Sequence, residues 1–229
     1  NLVAVGDSAM FTSNGAAGNT AIGSKSLFNN STGGNNTALG NGAGNTNTTG
    51  SNNTLVGFAA NVSTNNLSNA TALGNGATVN AGNKIRLGNA AVTVIEGQVA
   101  YTFPSDGRFK KDVREDVKGL DFIMKLRPVT YNFDRVSFSK FIGEKQAADY
   151  VGTLTELSKI RQTGFIAQEV DAAVTSSGYT GFDAVSKPAT DKESYGLAYA
   201  TLVVPLVKSV QEQQKQIVQQ QKQIETQQK

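Results

Sequence analysis

The chain contains no cysteine and no histidine. Disulfides, thiol catalysis, zinc fingers and Ser-His triads are therefore excluded from the start. Acidic and basic residues are almost absent from the first 104 residues, where Asp7 and Glu96 are the only acids and Lys25, Lys84 and Arg86 the only bases. A glycosidase needs two facing carboxylates, which this stretch does not offer. The net charge of +3 is small and spread among nearly as many acids as bases, so no basic stripe for nucleic acid is expected. No apolar run approaches the length of a membrane span, which argues against insertion in a bilayer. The sequence opens at Asn1 without a methionine or signal-like segment, and is expected to be a piece of a longer protein.

What is present in that first stretch is a repeat. Gly6, Gly23, Gly40, Gly57 and Gly74 stand 17 residues apart, and Gly88 follows after 14. Each closes a short strand-like phrase, such as Asn19-Thr20-Ala21-Ile22, Asn36-Thr37-Ala38-Leu39 or Asn53-Thr54-Leu55-Val56. Three residues after each glycine comes a small residue: Ala9, Ser26, Ala43, Ala60, Ala77 and Ala91. A fixed period with fixed apolar slots predicts stacked coils of a β solenoid or prism. Side chains alternate along a strand, so each phrase has two faces. Val5, Ile22, Leu39, Val56, Leu73 and Leu87 form one apolar column, and Ala4, Ala21, Ala38, Leu55 and Ala72 the other. A strand apolar on both faces needs cover on both. One column is expected to pack within the chain and the other between chains.

These phrases resemble the head repeats of trimeric autotransporter adhesins over residues 1–91, with extra loop residues lengthening each coil. Thr20, Thr37, Thr54 and Thr71 align as well, and are expected to form a hydrogen-bonded ladder rather than a glycan-binding column.

Residues 92–104 read as two short strands leading out of the repeat. Then comes the one sharp break in composition, at Ser105-Asp106-Gly107-Arg108-Phe109-Lys110-Lys111. A serine can attack a carbonyl without histidine if a lysine takes its proton, and burial or neighbouring cations such as Arg108 and Lys111 would keep that lysine neutral. By itself, a serine five residues before a lysine is equally at home in a solvated basic turn.

The string Ser105-Asp106-x-Arg108-Phe109-Lys110-Lys111-x-Val113 resembles the opening motif of the intramolecular chaperone auto-processing domain of endosialidase-type tailspikes. Gly119-Leu120-Asp121-Phe122-Ile123, Leu126-Arg127-Pro128-Val129-Thr130-Tyr131-Asn132-Phe133, Thr163-Gly164-Phe165-Ile166-Ala167-Gln168-Glu169-Val170 and Tyr195-Gly196-Leu197-Ala198-Tyr199 continue the likeness in order, as far as about residue 212. Phe109 stands where leucine is common, and 134–162 reads as an insertion between motifs. The resemblance implies a homotrimeric domain that drives assembly of what precedes it and can act as a single-turnover peptidase on its own chain. Carried over, Ser105 is the nucleophile, Lys110 the general base, Asp106 the acid that orients the turn or pairs with a cation, and Pro104–Ser105 the scissile bond. No external substrate, cofactor or metal is implied.

The tail carries apolar residues at heptad spacing in Val203, Val210, Ile217 and Ile224, with Leu206, Gln213, Gln220 and Gln227 in the alternate slots. That pattern predicts a polar, marginal coiled coil extending a bundle nucleated elsewhere, with Pro205 in its first turn or at a kink. The expected architecture is a mainly β repeat, solenoid or prism-like and trimeric, followed by an α+β chaperone domain and a C-terminal coiled-coil helix. Its segments are a shaft or head (1–91), a neck (92–104), a chaperone domain (105–202) and the tail (203–229). The expected function is the C-terminal part of a homotrimeric fibre at the cell surface, outside the cell or on a virion, with other fibre or baseplate proteins as partners. The alternative is a surface adhesin whose repeat binds a cell-surface glycan and keeps the chaperone as an uncleaved cap. A membrane-released transcription factor would need an upstream DNA-binding domain, which the charge-poor repeat does not supply.

Overall fold

The computed structural model describes residues 1–228. They form two compact units, each drawn from several stretches of chain. The first comprises Asn1–Ile95, Asn132–Arg161 and Thr190–Glu193, and the second Glu96–Tyr131, Gln162–Ala189 and the chain from Ser194 onward.

The first unit is built on a β solenoid of about five turns. Strands β1 (Val3–Val5), β2 (Thr20–Ile22), β3 (Thr37–Leu39), β4 (Thr54–Val56), β6 (Ala70–Leu73) and β8 (Lys84–Leu87) make one parallel sheet in that order. The short β5 (Asn61–Val62) and β7 (Thr78–Val79) pair in parallel beside it. The register is what a 17-residue period demands, with Ala21 beside Ala38 and Ile22 beside Leu39. Gly40 shows why the last residue of each phrase is glycine. Its φ is +132°, and a Cβ there would lie 2.4 Å from the Gly57 carbonyl oxygen of the next coil. Both the conformation and the approach of the two backbones require a residue without a side chain.

The two faces of the phrase part as expected. Ala21, Ala38, Leu55 and Ala72 are fully buried, as are Ala43, Ala60 and Ala77 in the slot three residues past the glycine. Ala4, in the first coil described, is exposed. The other column points outward: Val5, Ile22, Leu39, Leu73 and Leu87 are exposed and Val56 is half-buried.

The ladder that ties coil to coil runs through asparagine, not through the aligned threonines. Asn19 Oδ1 accepts from the Asn36 N–H at 2.8 Å, Asn36 Oδ1 from the Asn53 N–H at 2.9 Å, and Asn53 Oδ1 from the Ala70 N–H at 2.9 Å. Their amide nitrogens donate to Gly33, Gly50 and Leu67 carbonyls. Thr20, Thr37, Thr54 and Thr71 sit in the strands with outward side chains, whereas each asparagine one residue earlier turns into the coil, where backbone groups need partners. A buried amide satisfied on both sides is the polar equivalent of a packed apolar side chain.

The inserted stretch also belongs to this unit. Its helices α2 (Arg135–Phe141) and α3 (Ala148–Leu157) pack on each other, burying Ile142 and Leu154. Asp134 caps α2 by accepting from the Ser137 N–H at 2.9 Å. A bond from the Ser137 hydroxyl, with that N–H next, holds its carboxyl below the usual range.

In the second unit, residues 96–104 are irregular, and the two strands expected over 92–104 do not form. A strand needs a neighbour to pair with, and this stretch meets none among the described residues of its own chain. Helix α1 (Leu120–Ile123) places Phe122 in a core with Val170 and Ala173 of α4 (Ala167–Ser176) and Leu202. Strands β9 (Val129–Asn132) and β10 (Arg161–Gly164) form a two-stranded sheet, and β11 (Val185–Ser186) and β12 (Gly196–Leu197) a second. The separated family-like motifs meet here. Arg127 pairs with Glu169, and the Tyr199 hydroxyl accepts from the Phe165 N–H at 2.9 Å in a space that a side chain on Gly164 would fill. Helix α5 (Val203–Gln227) follows, with Pro205 in its first turn, and its Glu212 accepts from the Leu120 N–H at 2.7 Å. No helix among the described residues is long and apolar enough to cross a membrane.

Candidate functional site

The seam around Ser105 is shaped by one small turn. Asp106 accepts from the Arg108 N–H at 2.9 Å and so caps a single 3-10 turn over Gly107–Phe109. The Lys110 N–H donates to the Gly107 carbonyl at 3.1 Å, which brings the chain back on itself. As a result the Lys110 Nζ donates to the Ser105 Oγ at 2.8 Å. The two residues singled out by spacing are in direct contact.

Asp106 has a different partner. Its carboxylate takes the Arg108 guanidinium through Nε at 2.9 Å and Nη2 at 2.6 Å. The side-chain bonds from Arg108 are the main reason its carboxyl sits below the usual range, with the Arg108 N–H adding to them. Arg108 is in turn pushed further up. Asp106 thus orients the turn and occupies Arg108, one of the two cations expected to act on Lys110.

Both members of the contact are exposed, as is the whole of the surrounding stretch 97–115. Val99, Tyr101, Phe103, Phe109 and Val113 are 76 to 82% exposed. Five large apolar side chains left in water around one serine and one lysine form an apolar surface without cover in the single chain. The tail repeats the pattern, since Val203, Leu206, Val210, Ile217 and Ile224 are all exposed along one helix.

A second feature, in the first unit, was not legible in the sequence. Glu144 has a side chain only 1% exposed, and both its carboxylate oxygens lie 3.1 Å from the Ala90 N–H. Arg86 approaches it at 3.5 Å and the Tyr150 hydroxyl donates to it at 2.7 Å. Burial, with that bond and the Glu144 charge next, pushes the Tyr150 hydroxyl up to about 12. Nearby lies a cavity of about 460 Å³ whose lining includes Phe58, Asn61, Asn75, Thr78, Asp149 and Tyr150.

Residues 105–179 match the model of a family described as chaperone of endosialidase. The match starts at the serine of the Ser105–Lys110 contact. Neither the curated proteins nor the solved structures give a match to this chain.

Proposed function

We propose that the C-terminal part of this chain is an intramolecular chaperone that registers three copies so that their repeats fold together as a fibre. The observation that carries the reading is the family match over 105–179, which suggests assembly of trimeric fibres. The structure supports it through apolar surface that a single chain leaves uncovered: the outer column of the solenoid, the seam and the tail helix. The solenoid interior is mostly alanine and asparagine, so one coil buries little apolar area against the entropy of ordering it. Nucleation by a trimerising end removes that barrier. Surface fibres, of a cell or a virion, are the setting that fits.

The same domain cuts itself off at Pro104–Ser105. Ser105 Oγ attacks the Pro104 carbonyl carbon while its proton passes to Lys110 Nζ. The C–N bond to Ser105 breaks, an ester forms, and Lys110 returns the proton to the freed amine. Water then hydrolyses the ester, leaving a carboxylate on Pro104 and restoring the Ser105 hydroxyl. The 2.8 Å contact supports these roles. Exposure of the pair fits a site that works only when neighbouring chains exclude water around it.

Light scattering and mass spectrometry of the purified protein test both halves. The expected result is three copies per particle and a new N-terminus at Ser105. A stable folded monomer at micromolar concentration would sink the assembly reading, and a verified trimer that stays full length would leave the domain a chaperone and cap. Residues 1–104 expressed alone should aggregate or stay disordered by circular dichroism.

The cavity of about 460 Å³ favours a second reading, in which the fibre is an adhesin. Exposed Phe58 offers a ring face, and Asn75 and Thr78 offer amide and hydroxyl groups suited to a sugar. Saturation-transfer NMR with simple methyl glycosides decides it.

A further inference from the structure

The proposed cut falls between residues 104 and 105, yet the compact unit built on the repeat extends past it. Asn132–Arg161 and Thr190–Glu193, both on the far side of the cut, belong to the same unit as Asn1–Ile95. Cutting the neck divides that unit into two polypeptides without removing any of its contacts.

Those contacts are specific. Ala90 lies just past β8, and among the described residues no further coil pairs with its backbone. Glu144 takes its N–H with a nearly fully buried carboxylate, and the Arg135 guanidinium donates to its carbonyl at 2.6 Å and to that of Val92 at 3.2 Å. Both orphan groups of the terminal coil are thus satisfied from the inserted hairpin. Arg86 meets Glu144 on one side and lies 5.5 Å above the Phe138 ring on the other. Asn80 donates to the Lys192 carbonyl at 2.8 Å, a second tie to the far side of the cut. Hydrogen bonds to a buried charge are the strong kind, and separating them means resolvating each group.

From this we infer that the C-terminal fragment stays clasped to the repeat after the neck is cut, so the product is a two-chain complex rather than a freed fibre. Its biological occurrence rests on the self-cleavage proposed above, but the clasp itself does not. In a trimer the three clasps act together if the C-terminal parts stay associated, and linked contacts of this kind typically gain ~10²–10⁴-fold in avidity.

The test uses the full chain with Ser105→Ala, so that self-cleavage plays no part, and a specific protease site placed at 97–103 in the exposed neck. After complete cutting, size-exclusion chromatography at physiological salt should return residues before and after the cut in one peak. Adding Glu144→Ala and Arg135→Ala should move the repeat fragment into its own peak. Circular dichroism and elution of the uncut variant establish that it is folded, and Arg135→Ala alone serves if the double change is not. Fragments that separate with Glu144 and Arg135 intact overturn the inference, as does a folded double variant that holds its fragments as tightly as the parent. Failure of the native chain to cut itself would leave this result standing.

Discussion

The Lys110 ammonium sits 2.8 Å from the Ser105 hydroxyl while both side chains lie in the open. Contact supplies the geometry of a nucleophile and its base. Ser105→Ala and Lys110→Ala should each block formation of the 105–229 fragment and leave trimers intact by light scattering. General-base catalysis is typically worth ~10²–10⁴-fold, so loss of Lys110 will be plain on a gel over hours. Cutting that continues unchanged in Lys110→Ala would remove it from the mechanism.

Asn36 and Thr37 are neighbours in the same phrase with opposite duties. Asn36 is fully buried and accepts from the Asn53 N–H, whereas Thr37 faces outward. Asn36→Ala orphans that N–H, though the Gly50 carbonyl keeps a second donor in Asn47. A buried unsatisfied donor costs about 1–3 kcal/mol, repeated in every chain of an oligomer. Thr37→Val should cost much less. Denaturant midpoints of the two variants compare them directly, and equal midpoints would refute the asparagine ladder as a source of stability.

The repeat was legible because its period fixes both register and facing. Glycines 17 apart place Ala38 inward and Leu39 outward whatever the detail of the loops. The asparagine ladder had an equally regular signal in Asn19, Asn36 and Asn53, but asparagine also favours turns, and composition alone does not separate the two uses. Ser105 and Lys110 stand out through the motif; only the structure shows that Asp106 spends its charge on Arg108. Glu144 had no signal at all. Its partner Ala90 lies 54 residues away and offers only a backbone N–H, which no side-chain pattern can reveal. The neck strands failed for the opposite reason, since alternation was present and a partner was not.

Leu39 sits midway along the outward column, between Ile22 and Val56 in the strand register. If that face packs between chains, Leu39→Glu brings three carboxylates into an apolar contact. Burying unpaired like charges is costly, so the trimer should be lost or markedly weakened by light scattering. An unaffected trimer would move the interface away from this face.

Tyr150 gives the hairpin a dependence on alkaline pH whose sign is fixed by its environment. Its hydroxyl is raised to about 12 from 10.0, by burial first and then by donation to Glu144 and that residue's charge. The folded chain therefore holds the phenolic proton more tightly than the unfolded one. The stability this confers is present in full below pH 10 and is lost as the pH climbs from 10 to about 12. Beyond that point a phenolate would face the Glu144 carboxylate at hydrogen-bond distance. Comparison of the parent with Tyr150→Phe isolates this one hydroxyl. The variant should be less stable at neutral pH, having lost a bond to a buried carboxylate, and should lose less stability between pH 10 and about 12. Coincident curves for the two proteins would show that the Tyr150–Glu144 bond contributes nothing to holding the hairpin.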